Sequence, residues 1–392
     1  MTTFRELGLR AELVDALAAQ GIDEPFPIQA ATIADALAGR DACGKAKTGS
    51  GKTLAFGLPM LQTVEPGRPG HPTALVLVPT RELAKQVVEV LKPLGKEIGA
   101  RVAAFYGGAS MEKQIKNLRR RIEVAVATPG RLIDLLERNE LDLDDVKILV
   151  VDEADRMADM GFLPQVEWLL RKVPDDRQTL LFSATLDRDV DVLVRRYMRD
   201  PVRHEVVSET QTVDEMLHRF LKVHELDRVK VLASIAAGVS RTMVFCRTKR
   251  GADKLVSQLK REGVHAAAIH GDLRQAARER ALKDFAEGNH GVLVATDVAA
   301  RGIHVDDVDV VVHFDPPDEH KGYVHRSGRT ARAGNEGIVV TFVLWNQELE
   351  VERLQRRLGM REPLIEVFSN DPRLADLASL TEPAPRRKAV SA

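Results

Sequence analysis

Residues 46–53 read Ala-Lys-Thr-Gly-Ser-Gly-Lys-Thr. Gly49 and Gly51 let a backbone curl until its N–H groups point inward at an anion. Lys52 adds a positive charge suited to β- and γ-phosphates, and the Thr53 hydroxyl, opening a helix, suits a bound Mg²⁺. The stretch fits a phosphate-binding loop, with Ala46 where the general pattern has glycine. A chance Gly-rich turn could read the same way, but a second stretch argues against chance. "ILVVDEAD" (148–155) ends an apolar run in three carboxylates, Asp152, Glu153 and Asp155. In a parallel sheet, an acid at the carboxyl end of a strand faces the ligand crevice. Asp152 suits Mg²⁺ ligation, and Glu153 suits the group that orients and activates an attacking water. The plainer alternative is an acidic turn that caps the next helix.

These residues need elements to position them. Apolar, β-branched runs occupy 73–79, 124–129, 147–153 and 179–185, and they do not alternate with polar residues. That pattern suits strands buried on both faces. Helical spacing separates them, as at Leu83, Val87, Val90 and Leu94, or at Leu132, Leu135 and Leu136. The second half repeats the rhythm at 242–247, 266–271, 291–297, 309–315 and 337–343, with helices closed by Gly263 and Gly288. The alternation predicts an α/β chain of two tandem domains, each a mostly parallel sheet with helices on both faces. A length of 392 residues agrees with two domains. The polar stretch 208–216 reads as a linker, which sets the domains at 1–207 and 217–368. Residues 369–392, ending Pro-rich and basic, read as a disordered tail.

Hydrophobic residues make up 44% of the chain and the net charge is −1, so any nucleic-acid site must be a local basic surface. The two cysteines, Cys43 and Cys246, exclude a disulfide framework and a zinc ribbon; they read as small buried residues. His270 has no Cys or His cluster around it with zinc spacing. No apolar run approaches the ~18 residues of a membrane span, and the first residues lack a signal-peptide core, so a cytoplasmic protein is expected. The basic run 116–123 reads as a solvated helix face or as an extension of a nucleic-acid footprint.

Further motifs follow in a fixed order: "GIDEPFPIQ", "AKTGSGKT", "PTRELA", "YGG", "TPGR", "DEAD", "SAT", "VFCRT", "HGDLRQAAR", "ATDVAARGI" and "HRSGRTARAG". With this ordered set, from about Phe4 to about Val343, the chain resembles the DEAD-box family of ATP-dependent RNA helicases, bacterial type. The resemblance implies two RecA-like domains, ATP with Mg²⁺, and RNA as partner. It implies that Gln29 reads the adenine edge with support from Phe4, and that Ala46, Lys47, Thr48, Gly49, Ser50, Gly51, Lys52 and Thr53 hold the phosphates. Asp297 would contact the ribose, and Arg329 and Arg332 would act as arginine fingers. Such arginines offset charge that builds on the equatorial oxygens in phosphoryl transfer. Asp155, Ser183 and Thr185 would couple the ATP state to strand opening. RNA would be held by Thr80, Arg81, Gly107, Gly108, Thr128, Pro129, Gly130 and Arg131, and in the second half by Gln275, Arg278 and Thr296. These are backbone donors, hydroxyls and arginines, which hold phosphates and sugars. For Thr80 and Thr128–Arg131, helix capping is the simpler alternative.

The implied activity is an RNA-dependent ATPase that locally unwinds short RNA duplexes or remodels RNA–protein complexes, acting as a monomer. Aromatics are only 4% of the chain, which favours sequence-independent backbone binding over an extensive stacking platform. An ATP-gated RNA clamp would use the same parts. A small-molecule kinase would leave the second half unexplained. A DNA helicase is the weaker alternative, since 2′-OH contacts distinguish RNA. Ile22, His304, Ser327 and Ala331 depart from the family's usual residues; Ile22 stands where an aromatic often packs on adenine, and His304 where aspartate is usual.

Overall fold

The structure is a computed structural model that describes residues 2–46, 49–186, 188–206, 216–300, 308–330 and 337–380. The chain divides into two compact units, Met1–Ser208 and Glu209–Ala392.

The strands of the first unit are β1 Ala42–Lys45, β2 Ala74–Leu77, β3 Val102–Phe105, β4 Val124–Ala127, β5 Ile148–Asp152, β6 Gln178–Ser183 and β7 Val202–Glu205. Those of the second are β8 Leu217–Lys222, β9 Thr242–Phe245, β10 Ala266–Ile269, β11 Val292–Ala295, β12 Val310–His313, β13 Ile338–Val343 and β14 Leu364–Glu366. Each unit is one seven-stranded sheet, in the orders β3-β4-β2-β5-β6-β1-β7 and β10-β11-β9-β12-β13-β8-β14. All the pairings are parallel. Numbered from its own first strand, the second sheet repeats the order of the first.

The continuous apolar runs have a direct cause. Side chains alternate across a strand, and each face of the first sheet carries its own core. Val76, Val126 and Val150 enter one core, while Leu77, Ala127 and Val151 enter the other. Polar residues are therefore excluded from both registers of the central strands. Amphipathic helices cover the faces. The helix Arg81–Glu97 buries Leu83, Val87, Leu91 and Leu94 as one stripe. Each such aliphatic contributes about 1.5–3 kcal/mol on burial.

Two sequence expectations need amending. Strands β1, β3, β7, β8 and β14 go unnoticed in the sequence. The first two are built from Ala, Cys, Gly and single large residues, and the others carry charged side chains. The proposed tail also begins too early: Leu374, Leu377 and Leu380 are buried in the second unit's core, in and just after two short 3₁₀ turns. Residues 381–392 lie outside the described residues. Cys43 and Cys246 are free and buried; burial pushes their thiols up to about 11 and about 12, so both are inert. Among the described residues no helix is long and apolar enough to cross a membrane.

Candidate active site

The phosphate loop leaves β1 and the acidic turn leaves β5, and the sheet order sets β6 between them. Two motifs about a hundred residues apart thus meet at one carboxyl-end crevice of the first sheet. Gly49 and Gly51 have φ of +85° and +83°, a region glycine adopts without strain. A side chain on Gly51 would collide with the Gln29 amide and the Phe26 ring. Gln29 is buried, accepts from the Phe26 N–H at 2.8 Å and donates to the Gly51 carbonyl at 3.0 Å. It therefore braces the loop from below. Ala46 N–H donates to the Ser183 carbonyl at 3.0 Å, and Thr53 lies half-buried in the first turn of the helix Lys52–Thr63. Ser50 is half-buried; Lys47 and Thr48 lie outside the described residues.

Charge at this crevice is incomplete. Lys52 is 6% exposed, and its Nζ has no hydrogen-bond partner among the described residues. Leaving a buried ammonium unpaired costs several kcal/mol. Asp152 is 2% exposed. Burial pushes its carboxyl up to about 7, with Lys52 opposing the shift and Glu153 adding to it. An anion beside Lys52 and a divalent cation beside Asp152 would relieve both strains, so the residues present fit a nucleoside triphosphate with Mg²⁺.

Glu153 takes a left-handed conformation, φ +55°, which costs a non-glycine residue about 1–3 kcal/mol. Its N–H donates to Asp152 Oδ1 at 2.9 Å, and its carboxylate pairs with the Arg156 guanidinium. Asp155 is fully engaged. Its N–H donates to Ser183 Oγ at 3.1 Å, and its Oδ2 accepts from the N–H groups of Ala184 and Thr185 at 3.2 and 3.0 Å. The Thr185 hydroxyl adds a longer contact at 3.4 Å. Ser183 thus touches both the phosphate loop and the acidic turn.

The other expected residues of this unit leave β2, β3 and β4, which are adjacent in the sheet. Thr80 caps its helix, its hydroxyl accepting from the Leu83 N–H at 3.3 Å, so the simpler alternative holds for that side chain. Thr128 makes no such cap, and Pro129 opens the helix Pro129–Glu137. Arg131 is buried and donates twice to the Ala109 carbonyl, at 3.3 and 3.2 Å, which ties this helix to the Gly107–Gly108 turn. A Cβ on Gly108 would meet the Arg81 guanidinium at 2.6 Å. Gly107 and Gly130 are exposed. Phe4, 2% exposed, lies inside the core, and Ile22 packs half-buried against that core.

In the second unit, Gln275 opens the helix Gln275–Ala286, and the buried Arg278 donates to the Ala299 carbonyl at 3.3 Å. Thr296 is buried just beyond β11. The Asp297 carboxylate receives two bonds from Arg326, at 2.6 and 2.7 Å. The ribose contact expected of Asp297 would require that pair to open. Arg329 is buried just beyond the helix His320–Ser327, as is Ser327 within it; Arg332, Ala331 and His304 lie outside the described residues.

Four residues escape the sequence reading. Phe26 is 55% exposed beside Gln29 and Gly51, and its signal was an aromatic directly before Pro27. Arg156 was legible as a partner one turn beyond Glu153. Arg326 stood inside the quoted "HRSGRTARAG" without a role of its own, and Arg228 carried no local signal. Arg228 opens the helix Arg228–Ala237 that follows β8; it pairs with Asp315 at 3.4 Å and lies 4.0 Å over the Phe314 ring.

Comparison with known proteins agrees with this geometry. The DEAD/DEAH box helicase family matches residues 26–193, and the helicase conserved C-terminal domain matches residues 222–334. The chain is 44% identical over 345 residues to the ATP-dependent RNA helicase CshA of Listeria monocytogenes, covering 88% of this chain and 66% of that protein. It is 43% identical to DEAD-box ATP-dependent RNA helicase CshA of Geobacillus kaustophilus, covering 91% of this chain and 76% of the relative. Among solved structures, Saccharomyces cerevisiae Dbp5 bound to RNA and ADP BeF3 superposes with a TM-score of 0.80 at 32% identity, over 95% of this chain and 97% of that one. With both units matched, two RecA-like domains in its fold, and close relatives along nine-tenths of its length, the chain belongs to the DEAD-box family of ATP-dependent RNA helicases.

Proposed function

We propose that this chain hydrolyses ATP when RNA is bound and uses the cycle to open short RNA duplexes or remodel RNA–protein complexes. The observation that carries this reading is the unpartnered, buried Lys52 ammonium beside an Asp152 carboxyl lifted to about 7. Lys52 and the N–H groups of the glycine loop receive the phosphates. Gln29 reads the adenine edge, and Phe26 supplies the aromatic face that Ile22 lacks. Thr53 and Asp152 would hold Mg²⁺, which would supply neutralising charge to the phosphates when bound. Glu153 orients the attacking water once Arg156 releases its carboxylate. Arg329 and Arg332 stabilise the charge that develops on the transferred group.

RNA is held through its backbone by Thr80, Arg81, Gly107, Gly108 and Thr128–Arg131, with Gln275, Arg278 and Thr296 from the second unit. ATP and RNA each favour a closed arrangement of the two units, so each strengthens binding of the other. Dbp5, solved with RNA and ADP BeF3 together, supports that reading. Asp155 links hydrolysis to the Ser183–Thr185 turn through the bonds described above. The working form is a cytoplasmic monomer.

Steady-state ATPase with structured RNA, single-stranded RNA and DNA in parallel, alongside an ATP-dependent strand-displacement assay, tests the proposal. Stimulation by RNA with displacement of short duplexes is expected. RNA-stimulated hydrolysis without displacement would turn the reading to an ATP-gated clamp, and equal stimulation by DNA would remove RNA as the preferred partner.

A further inference from the structure

The geometry points to a docking groove for an acidic, extended peptide along the open edge of β3, away from the nucleotide and RNA residues. β3 is the outermost strand of the first sheet. The Arg101 and Phe105 carbonyls accept from Val124 and Thr128 N–H groups, on the β4 side. Peptide groups alternate sides along a strand, so those of Val102 and Ala104 face away from the sheet. A groove of about 700 Å³ is lined by this strand's first two residues, Val102 and Ala103. One wall is the helix Arg81–Glu97, which contributes Lys92 and Lys96; the other is the end of the helix Met111–Leu118, followed by Arg120. Arg101 lies on the rim, and Val102 and Ile122 form an apolar floor.

All four cations are exposed, and none is ion-paired among the described residues. Arg120 belongs to the basic run 116–123, which the ATPase mechanism leaves unused. The groove lies at the amino end of β3. Gly107 and Gly108 leave its carboxyl end, roughly 13 Å away at the usual rise per residue.

Charge and backbone together select the occupant. An incoming strand would pair with the Val102 and Ala104 peptide groups, as in strand addition to a sheet edge. Its alternate side chains would meet the apolar floor and the cationic rim, which favours apolar residues alternating with Asp or Glu. RNA would satisfy the cations but not the floor, because no aromatic lines the groove to stack a base. The competing view is that Lys92, Lys96 and the neighbouring Pro93 simply guard an edge against self-association.

The test uses the full chain, a fluorescein-labelled ten-residue peptide of alternating glutamate and valine, and labelled oligouridylate. The wild type should bind the peptide saturably, and amide exchange at Val102 and Ala104 should slow in its presence. The double substitution Lys96→Glu, Arg101→Glu should weaken the peptide by about tenfold or more. Oligouridylate affinity and RNA-stimulated ATPase should stay within about twofold, which also reports that the variant is folded. Absence of saturable binding by the wild type, or equal binding by the variant, would leave only the guarded edge. A matching loss of oligouridylate affinity would make the groove part of the RNA footprint and overturn the peptide assignment.

Discussion

The two units share one strand order and differ at one crevice. In the first, a helix beginning at Lys52 follows β1 and an acid ends β5; Lys52 Nζ has no hydrogen-bond partner among the described residues, and burial pushes the Asp152 carboxyl up. In the second, a helix beginning at Arg228 follows β8, and Asp315 lies just beyond β12. There the pair is closed: Arg228 binds Asp315 and covers Phe314, and Asp315 also accepts from the Arg247 N–H at 2.8 Å. No glycine-rich loop separates β8 from its helix. One topology thus yields two electrostatic outcomes. The open crevice stores an unsatisfied charge that a ligand can complete, whereas the closed one is satisfied by its own side chains.

The comparison can be broken at several points. Arg329→Ala should lower the RNA-stimulated kcat about 10³-fold or more while the Kd for ATP stays within about threefold; steady-state kinetics and equilibrium binding together check this. An equal loss in both would assign Arg329 to ground-state binding. Glu153→Gln should retain ATP and RNA binding yet hydrolyse roughly 10²- to 10⁴-fold more slowly, and near-normal turnover would remove its role towards water. Arg228→Ala should leave kcat within about twofold but lower the unfolding free energy by about 1–3 kcal/mol, measured by denaturant titration. A large fall in kcat would mean that the closed crevice takes part in the chemistry.

The smallest effect concerns pH. His313 is fully buried in the second unit, with neither ring nitrogen hydrogen-bonded among the described residues. Burial, reinforced by Arg326 and His218, holds its pKa well below the ordinary 6.5. A depressed histidine favours the fold while it is neutral. Its contribution is therefore present above pH about 6.5 and is lost as pH falls below that value. His313→Leu should flatten the pH dependence of stability between about pH 5 and 7; an unchanged slope would place that dependence elsewhere.

Much of this was legible in the sequence because it rests on local spacing. The phosphate loop and the acidic turn are contiguous, and strands buried on both faces stay apolar along their length. What escaped depends on neighbours distant in the chain. Arg326 gains meaning only from Asp297, and Arg228 only from Asp315 and Phe314. Strand β1 reads Ala-Cys-Gly-Lys, and its Gly44 is required because a Cβ would meet the Phe182 ring at 2.5 Å, a contact set by β6. Leu374, Leu377 and Leu380 were masked by polar surroundings, although they complete the second core. Thr80 shows the opposite limit: its motif suggested RNA, while its hydroxyl is occupied in a helix cap.

The most direct test of the open and closed crevices is the stoichiometry of a slowly hydrolysed ATP analogue on the full chain, by equilibrium binding. The account predicts one nucleotide per wild-type chain, binding weakened about a hundredfold or more by Lys52→Ala, and no second site created or lost by Arg228→Ala. Two nucleotides per wild-type chain, or binding that survives Lys52→Ala but disappears with Arg228→Ala, would contradict it.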